Sequence, residues 1–89
     1  MKRCILDGES LQDATQAYRR LAADLGFPAH FGHNPDALWD ALSEQRAEPV
    51  EIVWRHSARS AERLGPAFDR IVAVLHRAAA EGLVRLELL

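Results

Sequence analysis

The sequence predicts a two-layer α/β domain: a three-stranded parallel sheet carrying four helices, in the order β-α-α-β-α-α-β. Three observations carry this. Short apolar runs bounded by turn residues stand at the start, the middle and the end of the chain. Each interval between them holds two segments with apolar residues at helical spacing. Crossovers of that length join parallel strands, where a tight turn would join antiparallel ones. With so few strands and narrow helical faces, most helices are expected on one side of the sheet. The 89 residues, 48% hydrophobic and 27% charged, suit one core, and no repeat or linker divides them.

The elements follow in order. "RCILD" is a strand closed by the turn Asp7-Gly8. Asp13 with Gln16 three residues on forms an N-cap pair. The helix it opens carries Ala14, Ala17, Tyr18, Leu21, Ala22 and Leu25 on one face and stops at Gly26. "FPAHFGH" is a loop. Asn34 caps a second helix, "NPDALWDALSEQ", with Pro35 at the first position, where its missing N–H costs nothing. "VEIVW" sets Val50, Ile52 and Trp54 against Glu51 and Val53 as a partly buried strand, with Trp54 in the core. Ser57 is expected to cap a short helix ending at Gly65. Pro66 starts a longer one, with Phe68, Ile71, Val72, Leu75 and Ala79 inward, up to Gly82. "LVRLELL" supplies the third strand.

Composition excludes several functions. The net charge of −2 leaves no basic surplus for a phosphate backbone, so direct nucleic-acid binding is not expected. No segment approaches the roughly 20 apolar residues of a membrane helix, and the N-terminus lacks a signal-peptide core. The lone Cys4 permits no internal disulfide, so a cytoplasmic setting is expected. A domain of this size has no room for both a full core and a deep cofactor cavity, so the expectation is a surface function without cofactor.

Charge is also unevenly placed. Residues 34 to 45 hold Asp36, Asp40 and Glu44 with no Lys or Arg, and this −3 segment sets the sign of the whole protein. Within it the core stripe runs through Ala37, Leu38, Ala41 and Leu42, which leaves Asp36, Trp39 and Asp40 together on an adjoining, partly exposed face. Asp36 suits the positive end of the helix dipole; Asp40 lies further from it. Trp39 is read either as an interface residue or as a wedge against Phe31. His30 and His33 lie in a loop without a third ligand in sequence, and His56 and His76 stand alone, so no metal site is expected. No phosphate loop or nucleophile motif occurs, and Cys4 belongs to the core.

The stretch "FGHNPDALWDAL" resembles the core motif of the barstar family, intracellular inhibitors of secreted bacterial ribonucleases of the barnase type. The similarity continues through "VWR" at 53 to 55, "AEG" at 80 to 82 and the apolar last strand, so it covers nearly the whole chain. It implies a barstar-like fold and a bacterial immunity protein or antitoxin that catalyses nothing and plugs a ribonuclease one-to-one. Asp40 then takes the place of a substrate phosphate, supported by Asp36. Asn34 and Trp39 belong to the contact patch and its scaffold, and His30 stands where the family has a stacking aromatic. Ser43 and Glu44 on the same helix, with Arg77 and Glu81 on the last one, complete the expected contact set. The chain departs from the family in carrying Glu44-Gln45 for a Gly-Trp pair and Arg77 for an acid, which would set a base against a basic enzyme.

A rigid helix presenting carboxylates answers a cationic cleft shaped for RNA phosphate without offering a scissile bond, and long-range attraction speeds the encounter. Two alternatives stand beside this reading. One is a domain of the same fold that binds a different, non-ribonuclease partner. The other is a small hydrolase using His30 or His33 with Asp40.

Overall fold

In the computed structural model, which describes all of residues 1–89, the three strands β1 (Lys2–Asp7), β2 (Val50–Arg55) and β3 (Arg85–Leu88) lie side by side in chain order. Both pairings are parallel, with Cys4 beside Ile52 beside Leu86 and Leu6 beside Trp54 beside Leu88. The crossovers contain helices α1 (Ala14–Leu25), α2 (Pro35–Glu44), α3 (Ser57–Leu64) and α4 (Pro66–Ala80). This is the expected α/β architecture and order.

Strand periodicity explains the layering. Cys4, Leu6, Val50, Ile52, Trp54 and Leu86 point to one face and join the core with Leu21 and Leu25 of α1, Leu38 and Leu42 of α2, and Ile71 and Leu75 of α4. The other face carries Arg3, Asp7, Glu51, Arg55, Arg85 and Glu87. An Arg3–Glu51 ion pair of 2.8 Å spans β1 and β2 there. Val53 sits in this polar face yet is buried, in register between Ile5 and Glu87 and outside the main core. Alternation alone had placed it toward solvent; it lies on the central strand, flanked on both sides by β1 and β3.

The first two helices begin as their sequences require. Asp13 accepts a 2.9 Å hydrogen bond from the Gln16 amide, while Gln16 reaches back to the Gln12 amide at 2.9 Å. Asn34 Oδ1 accepts from the Ala37 amide at 2.8 Å. The third helix differs from expectation. The cap position of α3 is His56, in the left-handed region at φ 51°, and Ser57 is already helical. Its hydroxyl donates to the Leu89 carbonyl at 2.9 Å in place of capping. The physical reason is the absence of a loop: β2 ends at Arg55, so one residue reverses the chain, and only a left-handed conformation turns that sharply. Gly8 lies directly against the His56 carbonyl, and a side chain there would collide with that backbone.

Smaller differences lie at the end of the chain. On α4 the buried face is Phe68, Ile71, Leu75 and Ala78, with Val72 and Ala79 only partly covered. The helix stops at Ala80 with Glu81 as its C-cap. Leu83 and Val84 are core residues before β3 rather than part of its ladder. Trp54 is fully buried as expected; its indole N–H donates to Ser60 Oγ at 2.9 Å and its ring meets Phe68 edge-on at 5.0 Å.

Candidate functional site

The acidic segment forms α2, held from below by Leu38, Ala41 and Leu42 and packed against α4. Its entry is fixed by the Asn34 cap, and a side chain at Gly32 would press on the side-chain Nδ2 of that same Asn34 at 2.9 Å. Its exit is fixed by Gln45, whose side-chain amide donates to the Leu25 carbonyl at the end of α1, at 2.9 Å. At about 100° per residue, Ser43, Asp36, Asp40 and Glu44 fall on one strip turned away from the core. Asp36, Asp40 and Glu44 are all exposed. None of the three takes part in any of the chain's ion pairs.

Trp39 does not share a face with Asp40 as the sequence reading had it, nor does it wedge against Phe31. It sits on the flank toward α4, half-buried against the core, with the Arg77 guanidinium 3.8 Å above its ring. Arg77 also pairs with Glu81 one turn on, at 3.6 Å. A tryptophan at the edge of the buried stripe of a short helix finds its cover on a neighbouring helix, which local spacing cannot show. The base that would oppose a cationic partner is thus occupied by an aromatic face and a carboxylate of its own chain. Ser43, beside Trp39 on the helix surface, donates its hydroxyl to the Trp39 carbonyl at 2.8 Å.

The other flank of the strip is a shallow groove between α2 and the loop before it. His30 and Phe31 from the loop, and Ala37, Asp40, Ala41 and Glu44 from the helix, are among its lining residues. Ala37, expected in the core stripe, lines this groove instead. The loop is held by aromatic contacts that sequence reasoning missed. Phe31 packs on Phe27 at 4.9 Å, and His33 stacks on Tyr18 with centroids 6.1 Å apart and planes within 4°. The signal was available in the density of aromatics in "FPAHFGH". His30 is left exposed at the groove. Of the candidate residues, then, His30, Asp40 and Glu44 meet in the groove, Asn34 and Asp36 stand at the helix start, and Trp39, Arg77 and Glu81 form the opposite flank.

The histidine pair of the loop brings no ligand set together, because His33 is turned onto Tyr18. One trio, Asp7, Glu9 and His56, has potential ligand atoms within 4.8 Å of one another. It spans β1, its turn and the start of α3, so no spacing in sequence announces it. Local bonding accounts for the arrangement: Asp7 accepts from the Glu9 amide at 2.9 Å, and His56 Nδ1 lies 3.6 Å from Glu9. Cys4 offers no nucleophile, since burial, then the nearby Asp24 carboxylate, push its thiol up to about 12.

Fold and candidate site together define a two-layer α/β domain that presents an acidic helix and the loop beside it at its surface. The family described as Barstar (barnase inhibitor) matches residues 1–87, and the chain belongs to that family. A protein of Bacillus subtilis (strain 168) named "Putative ribonuclease inhibitor YrdF" is 31% identical over 81 residues, which cover 91% of this chain and 89% of that protein.

Proposed function

We propose that this protein inhibits a barnase-like secreted ribonuclease from within the cytoplasm, one-to-one and without catalysis, by laying α2 and the loop before it into the enzyme's active site. The observation that carries this reading is the strip of three carboxylates on a helix braced at both ends, with no cation of the chain itself to neutralise them. A cationic cleft evolved for phosphates supplies the missing partners, and charge-assisted hydrogen bonds from arginine are the strong ones. The barstar resemblance assigns the phosphate's place to Asp40, which is exposed on the strip and lines the groove, and Asp36 adds field at the helix start. Membership of the barstar family and the name of the Bacillus relative support a ribonuclease as the partner.

The test is calorimetric titration of the protein into a barnase-type ribonuclease at two salt concentrations, with wild type and Asp40→Ala. Tight binding that weakens with salt is expected, with Asp40→Ala costing about 2 to 5 kcal/mol, the usual loss on truncating one partner of a buried charge pair. Binding that Asp40→Ala leaves unchanged would sink the phosphate-mimic assignment. Absence of binding by the wild type, with capture of another protein through the same helix, would move the function to a different partner.

A further inference from the structure

The sheet is purely parallel, and such sheets almost always carry helices on both faces. Here the helices share one layer, since a single core cluster draws on all four of them and on the inward side of the strands. The outer face is left uncovered, with Val53 buried at its centre and Ile5 half-buried beside it. That face is also ordered in charge. Near the strand starts, Glu51 stands in register between Arg3 and Arg85; two residues on, Val53 stands between Ile5 and Glu87; two further, Asp7 lies beside Arg55. Charge therefore alternates across the strands and reverses along them, from Arg3 to Asp7 on β1 and from Glu51 to Arg55 on β2. Arg3 and Glu51 pair with each other, while Asp7, Arg55, Arg85 and Glu87 take part in no ion pair of the chain.

A copy can be laid face to face on this sheet about a two-fold axis that runs either along the strands or across them. An axis along them sets Arg3 against Arg85 and Glu51 against Glu51, which repels. An axis across them, through Val53, sets Glu51 against the copy's Arg55 and Arg3 against the copy's Asp7, and symmetry makes each contact twice. Stacked sheets lie about 10 Å apart, a gap that Val53 and Ile5 of both copies help to fill and that an arginine can span. Glu87 is the exception to the pattern, meeting its own copy at the edge.

We propose that the outer face of the sheet is a self-association surface, on which two copies of this chain pack with their strands antiparallel, Val53 against Val53 and Glu51 against Arg55. Three strands give a face of roughly 300 Å² per copy, well under the ~800 Å² of a stable interface, so the dimer is weak and depends on charge. The helices lie on the far side of the sheet, so α2 remains exposed in the dimer.

The experiment follows backbone amide shifts of the isotope-labelled full chain from micromolar to millimolar concentration, at low and high salt. Concentration-dependent shifts at residues 3–7, 51–55 and 85–87 are expected, with several-fold weaker association at high salt. Glu51→Arg and Arg55→Glu should each weaken self-association at least tenfold. The two variants mixed should associate again, because each then meets the opposite charge. Labelled Glu51→Arg mixed with Arg59→Glu, which alters net charge equally from an exposed position on α3, should respond far less. Glu87→Gln removes the like-charge contact and should strengthen association. Circular dichroism checks that each variant folds; should a charge reversal unfold the chain, Glu51→Gln and Arg55→Gln take its place, each weakening association several-fold. Shifts independent of concentration up to millimolar protein at low salt would overturn the proposal. So would shifts confined to α2, association that salt leaves unaltered, or equal responses of Glu51→Arg to Arg55→Glu and to Arg59→Glu.

Discussion

Arg77 would look like a misplaced charge if only the sequence were available, since it lies on a helix expected to face a basic enzyme. Its guanidinium instead covers Trp39 at 3.8 Å and leans on Glu81 at 3.6 Å, so the positive charge is shared before any partner arrives. A cation over an exposed indole contributes about 0.5 to 1 kcal/mol, and the stem adds cover to the ring. Arg77→Ala should therefore lower stability by about that amount in urea unfolding. It should also raise the quenching of tryptophan fluorescence by acrylamide, because Trp54 is fully buried and Trp39 is the accessible indole. Arg77→Lys should fall between, keeping the charge and losing the planar stack. Stability and quenching both unchanged in Arg77→Ala would show that the contact contributes nothing in solution.

At the scale of elements, what could be read from sequence is what is decided locally. Helix α2 announces itself through Asn34 and Pro35, and the structure returns the same cap, with Asn34 Oδ1 bonded to the Ala37 amide at 2.8 Å. Asn34→Ala should cost on the order of 1 kcal/mol in chemical denaturation, and Asn34→Ser much less, since serine offers an equivalent acceptor. An alanine variant of wild-type stability would detach Asn34 from capping. The elements that sequence misplaced are those decided by a distant segment. Ser57 reads as a cap by type, but with no loop after β2 the reversal falls on His56, and the Ser57 hydroxyl bonds the distant Leu89 carbonyl instead. Trp39 reads as a neighbour of Asp40 because both are near in sequence; its position is set by α4. The groove was legible only in halves. Its acids could be counted, but the wall opposite them depends on Phe31, Phe27 and Tyr18 packing from a loop and another helix. The clustering and exposure of Asp36, Asp40 and Glu44 were legible early because a charge excess survives any small error in packing.

Across the whole molecule, one buried thiol reports how firmly these layers hold together. Cys4 lies in β1 with no exposed surface and with its sulfur 3.9 Å from the Arg20 carbonyl of α1, at the junction of sheet and helix. Burial, and then the charge of Asp24, lift its thiol from an ordinary 9.0 to about 12. Below about pH 9 both folded and unfolded chains keep the proton, so the thiol has no effect on stability. Between about 9 and 12 the unfolded chain loses its proton while the folded chain keeps it, and ionisation then favours unfolding. Stability should fall across that window, approaching a slope of about 1.4 kcal/mol per pH unit from this group alone. Tyr18, raised in the same direction by burial, adds to the decline, so the comparison that isolates Cys4 is wild type against Cys4→Ala. The difference between their unfolding free energies should shrink steadily above pH 9, as the alanine variant lacks the thiol's share of the loss. A difference that stays constant to pH 11 would mean that the thiol ionises as easily in the folded chain as in the unfolded one. The junction between β1 and α1 would then have to open to solvent without global unfolding, and the sheet could not serve as the rigid backing that α2 needs to present its acids.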